Sequence, residues 1–307
     1  MDLFIFQNIE NDETVKALIE KDNTALLRGI IKFAELEGVT DNSLREYIAS
    51  LLANDDNVLS HLAKSGKKIG KDLYRLAALD IEMIYKRLFN TKIKYKPSGN
   101  ETGYYSAYTE SIRGITGAGT AGELLDRLIA HYKTLGSGVM AKYVAFKFDG
   151  EITGVPHTDK TQFDDIVGME HQKQVLIDNT RAFVNGEFAN NVLLFGDRGT
   201  GKSSSVKALL NMFAPEGLRV IELPKSAITL IPELTKRLED SPHKYILFLD
   251  DLTFERHDTE YRALKIAMDG QIQAAAGNVL VYATSNRRHL IRETWADRDG
   301  GEGHVND

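Results

Sequence analysis

The 307-residue chain has no cysteine, which excludes disulfides and thiolate metal sites. That fits a reducing compartment, and a cytoplasmic protein is expected. Proline is scarce: there are six, and none precedes Pro97. No apolar run approaches the roughly 20 residues that span a bilayer. The start, MDLFIFQNIENDET, lacks the basic region and long apolar run of a secretory signal. No membrane partner is expected. The eight histidines are scattered, with no H-E-x-x-H spacing. Positive charge is not in excess either: 38 Lys and Arg stand against 44 Asp and Glu. Residues 1–150 carry 20 basic and 20 acidic residues, a net of zero; residues 151–307 carry 18 and 24, a net of −6. That balance argues against generic duplex binding, which relies on Lys and Arg neutralising phosphates.

What is present first is helical periodicity. Leu26, Leu27, Ile30, Ile31 and Ala34 form one stripe. Leu44, Tyr47, Ile48, Leu51 and Leu52 form another, and Leu73, Leu76, Ala77, Ile81, Ile84, Tyr85 and Leu88 a third. Breaks fall at LEGVTDNS and AKSGKK, so residues 1–96 read as an all-helical domain of four to six helices. No fixed-period repeat accompanies them. Lys64, Lys67, Lys68, Lys71, Arg75, Lys86, Arg87, Lys92, Lys94 and Lys96 cluster here. The plain reading is a solvated helix face; the alternative is a docking surface for an acidic partner or nucleic acid.

KPSGNETGYY, Lys96–Tyr105, reads as a boundary. Tyr104, Tyr105 and Tyr108 are expected to pack an interdomain seam rather than form a base-stacking platform. GAGTAG, Gly117–Gly122, spells the dinucleotide fingerprint G-x-G-x-x-G. No convincing strand precedes it and no acid follows about 20 residues on, so it is set aside. Thr120 with Glu123 instead forms a capping box for the helix around ELLDRLIAHYKTL. Tyr143–Val155 reads as a hairpin turning at Asp149-Gly150.

LLFGDRGTGKSSSVKALL, Leu193–Leu210, has the form G-x-x-x-x-G-K-[ST], filled by Gly196, Gly201, Lys202 and Ser203. Glycines let successive backbone N–H groups curl around a phosphate, and the following helix adds its positive end. The loop Gly196, Asp197, Arg198, Gly199, Thr200, Gly201, Lys202, Ser203 and Ser204 is the expected phosphate cradle. Lys202 reaches the terminal phosphates and Ser203 supplies a hydroxyl to Mg²⁺. The motif has meaning only between a strand and a helix. Asn191–Phe195 is a short apolar run, and Lys202–Phe213 puts Val206, Leu209, Leu210 and Phe213 on one helical face.

Further on, LRVIELP reads as a strand and PELTKRLED as a helix. Tyr245–Leu249 is an apolar strand ending in Asp250-Asp251, and Asp250 is placed to hold Mg²⁺. A helix through EYRALKIAMDG and a strand, Asn278–Ala283, follow. Alternation of strand and helix implies an α/β fold with a parallel sheet and ligand at the strands' carboxyl ends. The phosphate loop, Asp250 and Asn286 all fall at such ends.

That order of phosphate loop, strand, apolar run with acid, helix and ATSN resembles the AAA+ ATPases. LLFGDRGTGKSSS, ILFLDDLTFE and YATSNRRHL are more closely similar to an AAA+ family described as a domain of unknown function. The detailed likeness runs from about Tyr143 to Arg292. It implies ATP and Mg²⁺ as ligands. It also implies Ile166, Val167 and Gly168 of FDDIVGMEHQK beside the adenine. Asn286 would be the polar sensor that positions the attacking water, and Asp251 the acid that polarises it. Asp-Asp stands where the family pattern has Asp-Glu. The neighbouring-subunit arginine has candidates in Arg287, Arg288, Arg292 and Arg298. Too little sequence follows Asn286 for the fifth strand and helical lid of a complete AAA+ core. The chain is therefore expected to be a piece of a longer protein, its Val192–Phe195 strand needing cover by another segment or chain.

The organisation expected is 1–96 helical domain, 97–160 linker, helix and hairpin, and 161–307 AAA+ core. The activity expected is slow ATP hydrolysis coupled to remodelling or loading a protein or nucleic-acid partner held by the helical domain. Homo-oligomers are expected of the full-length protein. The alternatives are an ATP-sensing module with little hydrolysis and a small-molecule kinase. No N-K-x-D guanine motif appears.

Overall fold

The computed structural model describes residues 2–37, 43–91, 93, 103–254, 259–268 and 277–286. The chain divides into two compact units. The first comprises Met1–Ala145, Thr153–Thr158 and Asp240–His243; the second comprises Phe146–Ile152, Asp159–Glu239 and Lys244–Asp307.

The first unit is helical: α1 (Gln7–Asn11), α2 (Glu13–Glu20), α3 (Asn23–Glu37), α4 (Ser43–Asn54), α5 (Val58–Lys64), α6 (Lys71–Ile84), α7 (Ser106–Thr116), α8 (Ala121–Leu135) and α9 (Val139–Lys142). A π-helical turn, Tyr85–Phe89, extends α6. One core joins Phe6, Ile30, Ile48, Leu52, Leu59, Ile81, Leu88, Leu124, Leu128 and Tyr132. The first sequence stripe is narrower than expected. Leu26, Ile30 and Ala34 are buried at i, i+4 spacing, while Leu27 and Ile31 lie exposed on the next column. Asp80 is fully buried and its carboxylate accepts the N–H groups of Phe4, Ile5 and Phe6, which ties the start of the chain to α6.

Tyr104 and Tyr108 pack edge to face, as do Tyr104 and Tyr143. Burial pushes the Tyr108 phenol up to about 12 while Asn54 Nδ2 donates to it at 3.0 Å. These rings pack inside the first unit, with partners from α4 and residues 142–143, instead of across a domain boundary. Within the basic cluster, Lys64 pairs with Asp56, Lys67 with Asp240 and Lys86 with Glu82. Lys92, Lys94 and Lys96 lie outside the described residues.

The second unit carries the sheet, apart from Ala145 of its first strand and Thr153–Gly154 of its second, which fall in the first unit. Its elements are β1 (Ala145–Phe148), β2 (Ile152–Gly154), α10 (Glu170–Val184), β3 (Val192–Phe195), α11 (Lys202–Phe213), β4 (Leu218–Glu222), α12 (Ile231–Leu238), β5 (Lys244–Leu249), α13 (Thr259–Met268) and β6 (Val279–Ser285). The strand order is β2-β1-β4-β5-β6-β3. The pairs β4–β5, β5–β6 and β6–β3 are parallel. Val206, Leu209, Leu210 and Phe213 of α11 are all buried, as that helix's spacing predicts. The β1–β2 hairpin turns at Gly150, whose φ of 80° suits glycine. It extends the sheet beyond β4.

At the other end β3 is an edge strand. Among the described residues only β6 pairs with it, and Phe195 is half exposed. Asn191 fixes its entry: Nδ2 donates to the carbonyls of Ala267 and Met268, and Oδ1 accepts from Val281 N–H. Arg287, Arg288, Arg292 and Arg298 lie outside the described residues.

Candidate functional site

The register of the parallel strands brings three carboxyl ends together. Phe195 of β3 stands opposite Ser285 of β6, and Leu249 of β5 opposite Ala283 of β6. The residues just beyond these ends are Gly196, Asp250 and Asn286. They meet at the amino end of α11.

The phosphate loop is shaped by its glycines. Gly196, Gly199 and Gly201 take φ values of 150°, 77° and 79°, which side chains rarely adopt. At Gly201 a methyl group would also lie 2.8 Å from Ile166 Cγ2. Gly201 caps α11 with no side-chain hydrogen bond. The first-turn N–H groups of α11 therefore keep no capping side chain, and the helix's positive end faces the cleft.

That cleft, about 340 Å³, is lined by Arg198, Gly199, Thr200, Gly201, Lys202, Ser203, Ser204, Asp250, Asp251, Thr284 and Asn286. Lys202 Nζ donates to the carbonyls of Gly196 at 2.9 Å and Asp197 at 2.7 Å, and to Asn286 Oδ1 at 3.1 Å. Ser203 Oγ donates to Asp250 Oδ1 at 2.5 Å. Asn286 Nδ2 donates to Asp251 Oδ1. Of the residues expected beside adenine, Ile166 is buried against Gly201, Val167 is 94% exposed and Gly168 has φ +79°. None of the three lines the cleft. Lys173, buried on α10, donates to the Ile166 carbonyl and pairs with Glu170, which holds this segment in place.

One member of the site has no counterpart among the expected residues. Thr284 is buried at the end of β6. Its hydroxyl donates to Asp250 Oδ1 at 2.6 Å and accepts Asp251 N–H at 2.7 Å. Nothing in the spelling ATSN sets Thr284 apart from an ordinary strand threonine; the pairing of β6 with β5 brings its hydroxyl to Asp250.

The donor set suits Mg²⁺. Ser203 Oγ and Asp250 Oδ1 are adjacent hard oxygens. Among the described residues no group of three or more His, Cys, Asp or Glu could hold a metal by itself. Mg²⁺ bound with a nucleotide needs no such cage, because phosphates and water complete its shell.

A phosphate loop between β3 and α11, with a parallel order β4-β5-β6-β3 and acids after β5, defines an AAA+-type P-loop fold, preceded by a helical region. The family model described as "Protein of unknown function (DUF815)" matches residues 140–307, more than half the chain, and the chain belongs to that family. No curated protein matches it. Among solved structures, it is similar to PCH-2 of C. elegans at 19% identity and TM-score 0.31, over 44% of this chain and 42% of that one. AMPPCP-bound DnaA from Aquifex aeolicus gives 16% and 0.32, over 47% and 49%. The Thermotoga maritima RuvB Holliday junction branch migration motor gives 22% and 0.28, over 41% of each. The chain thus spans less than half the length of each of these structures.

Proposed function

We propose that this protein binds ATP with Mg²⁺ and hydrolyses it slowly, coupling that cycle to remodelling or loading a macromolecular partner. The observation that carries the reading is convergence. Lys202, Ser203, Asp250, Asp251 and Asn286 come from three strand ends and one helix start, yet line one cleft. The loop amides and Lys202 hold the phosphates, with the open end of α11 behind them. Ser203 and Asp250 would hold Mg²⁺, which when bound would supply charge neutralisation at the terminal phosphates. Asp251 accepts a proton from the attacking water and Asn286 orients it. Ile166, Val167 and Gly168, which lie outside the cleft lining, are assigned to the adenine. Catalysis of this kind is positioning and electrostatics.

The helical unit is assigned the partner, a protein or nucleic acid, and the full-length protein is assigned homo-oligomeric assembly in the cytoplasm. No described helix is long and apolar enough to cross a membrane. One observation favours a second reading, an ATP-sensing module: Asp251 is one methylene shorter than glutamate, and its carboxylate bonds to Asn286.

Single-turnover hydrolysis separates the two. Wild type is expected to exceed Asp251→Asn by on the order of 100-fold, as for a misplaced catalytic group, with ATP binding retained in both. Equal rates would establish the sensing module.

A further inference from the structure

Asp250 and Asp251 are neighbours in sequence, and neighbours on a continuing strand project to opposite faces. Both nevertheless line one cleft. The chain achieves this by leaving β5 at Leu249 and turning Asp251 into the left-handed region, at φ +50°. Few non-glycine residues adopt that conformation, and aspartate is among those that tolerate it. The same turn re-aims the shorter acid.

What holds the turn is β6. Thr284 Oγ1 accepts the Asp251 N–H, and Thr284 O accepts the Leu252 N–H at 2.8 Å. Ser285 Oγ donates to Leu252 O at 2.8 Å. Thr284 Oγ1 also spends its one proton on Asp250 Oδ1, the atom that accepts from Ser203. A single buried hydroxyl is thus bonded to the backbone of one acid and the carboxylate of the other. Valine would fill the same space and make neither bond.

We propose that Thr284 is a positioning residue for the ATPase reaction. Its hydroxyl sets the metal-side carboxylate of Asp250 and the left-handed turn of Asp251 together, so that an Asp-Asp pair performs the work of Asp-Glu. This deepens the ATPase reading and rests on it. Thr284 touches no reacting atom; it acts through its two neighbours.

The test compares wild type, Thr284→Val and Thr284→Ser in the whole chain. ATP affinity is measured in EDTA and in Mg²⁺, and hydrolysis by single turnover. Thr284→Val is expected to keep wild-type affinity in EDTA, lose most of the gain that Mg²⁺ gives, and hydrolyse on the order of 10- to 100-fold more slowly. Thr284→Ser, which keeps the hydroxyl, is expected to restore both within a few-fold. In an Asp251→Asn background, Thr284→Val should slow hydrolysis much less than it does alone. Where Thr284→Val lacks a wild-type thermal transition, Thr284→Ala takes its place.

Wild-type behaviour of Thr284→Val, equal loss in Thr284→Val and Thr284→Ser, or a full additive loss in the Asp251→Asn background would each overturn the positioning role. A wild-type protein that binds no ATP would overturn the ATPase reading and this role with it. Wild type that hydrolyses while Thr284→Val matches it overturns this role alone.

Discussion

The chain has two glycine-rich loops that each open a helix, and they do opposite things. At Gly117–Gly122 none of the three glycines takes a positive φ. Thr120 Oγ1 accepts the Glu123 N–H at 3.1 Å, and Glu123 Oε2 returns to the Gly119 N–H at 2.8 Å. The returning bond lands one residue earlier than a capping box would place it, so the motif is a shifted version of the expected one. Side chains of the cap and first turn thus satisfy one N–H of α8 and the Gly119 N–H just before it. At Gly196–Gly201 all three glycines take positive φ, no side chain caps α11, and two acids and an asparagine stand opposite. A helix start that caps itself is structural, whereas one held open by left-handed glycines, with the Lys202 ammonium beside it, is a place for an anion. The spelling of the motif did not distinguish them; the strand before one of them did.

The comparison breaks most visibly at Gly201. Gly201→Ala puts a methyl group at φ +79° and against Ile166, so it should distort the loop and abolish ATP binding. Lys202→Ala adds no atom to the loop; it removes the ammonium, with its bonds to the Gly196 and Asp197 carbonyls, and is the cleaner partner. Saturating ATP at about 100 times its dissociation constant stabilises by roughly 2.7 kcal/mol, a thermal shift of roughly 5–10 °C for a domain of this size. Both variants are expected to lose that shift. If Lys202→Ala keeps it, the loop is not the phosphate site.

The helical unit offers a second effect, independent of nucleotide. His131 on α8 is buried, its Nδ1 lies 2.8 Å from Ser111 Oγ, and burial pushes its pKa down to about 4. The unfolded chain, with an ordinary value near 6.5, takes up the proton first. Stability is therefore complete above about pH 6.5 and falls as pH drops towards about 4, by on the order of 3 kcal/mol at the bottom of that window. Asp55, raised by burial, works in the opposite direction across the carboxylate range. His131→Gln should flatten the slope between pH 6.5 and 5 in a denaturation series. An unchanged slope would remove His131 as its source.

The parts of the core that were legible share a physical reason. β3, α11, β4 and β5 are short apolar runs or one-faced helices bounded by Gly, Pro or acids, and those signals are local. Lys202, Asp250 and Asn286 could be placed because each sits one step past such an element. Thr284 could not, because a threonine inside YATS reads as a β-branched strand residue. Only the register of β5 against β6 reveals that its hydroxyl meets Asp250. The joining of the β1–β2 hairpin to β4 is non-local in the same way, about 70 residues apart in sequence. In the helical unit, periodicity located the helices, but the anchoring of Phe4, Ile5 and Phe6 by Asp80 spans more than 70 residues.

The smallest effects sharpen the comparison at the self-capped loop. Thr120 is the N-cap of a 15-residue helix, and its hydroxyl satisfies one of the first N–H groups. Thr120→Ala should cost about 1 kcal/mol. Gly122 lies inside the first turn of α8, and a methyl group there would meet only Thr120 Oγ1, at an ordinary 3.9 Å. Gly122→Ala should therefore stabilise, by up to about 1 kcal/mol, because alanine loses less backbone freedom on entering a helix. That sign is the opposite of the one expected at Gly201. Neither variant should alter the ATP-induced thermal shift, since neither residue lines the phosphate cleft. If Gly122→Ala destabilises, or if either change weakens nucleotide binding, the Gly117–Gly122 loop does more than start a helix.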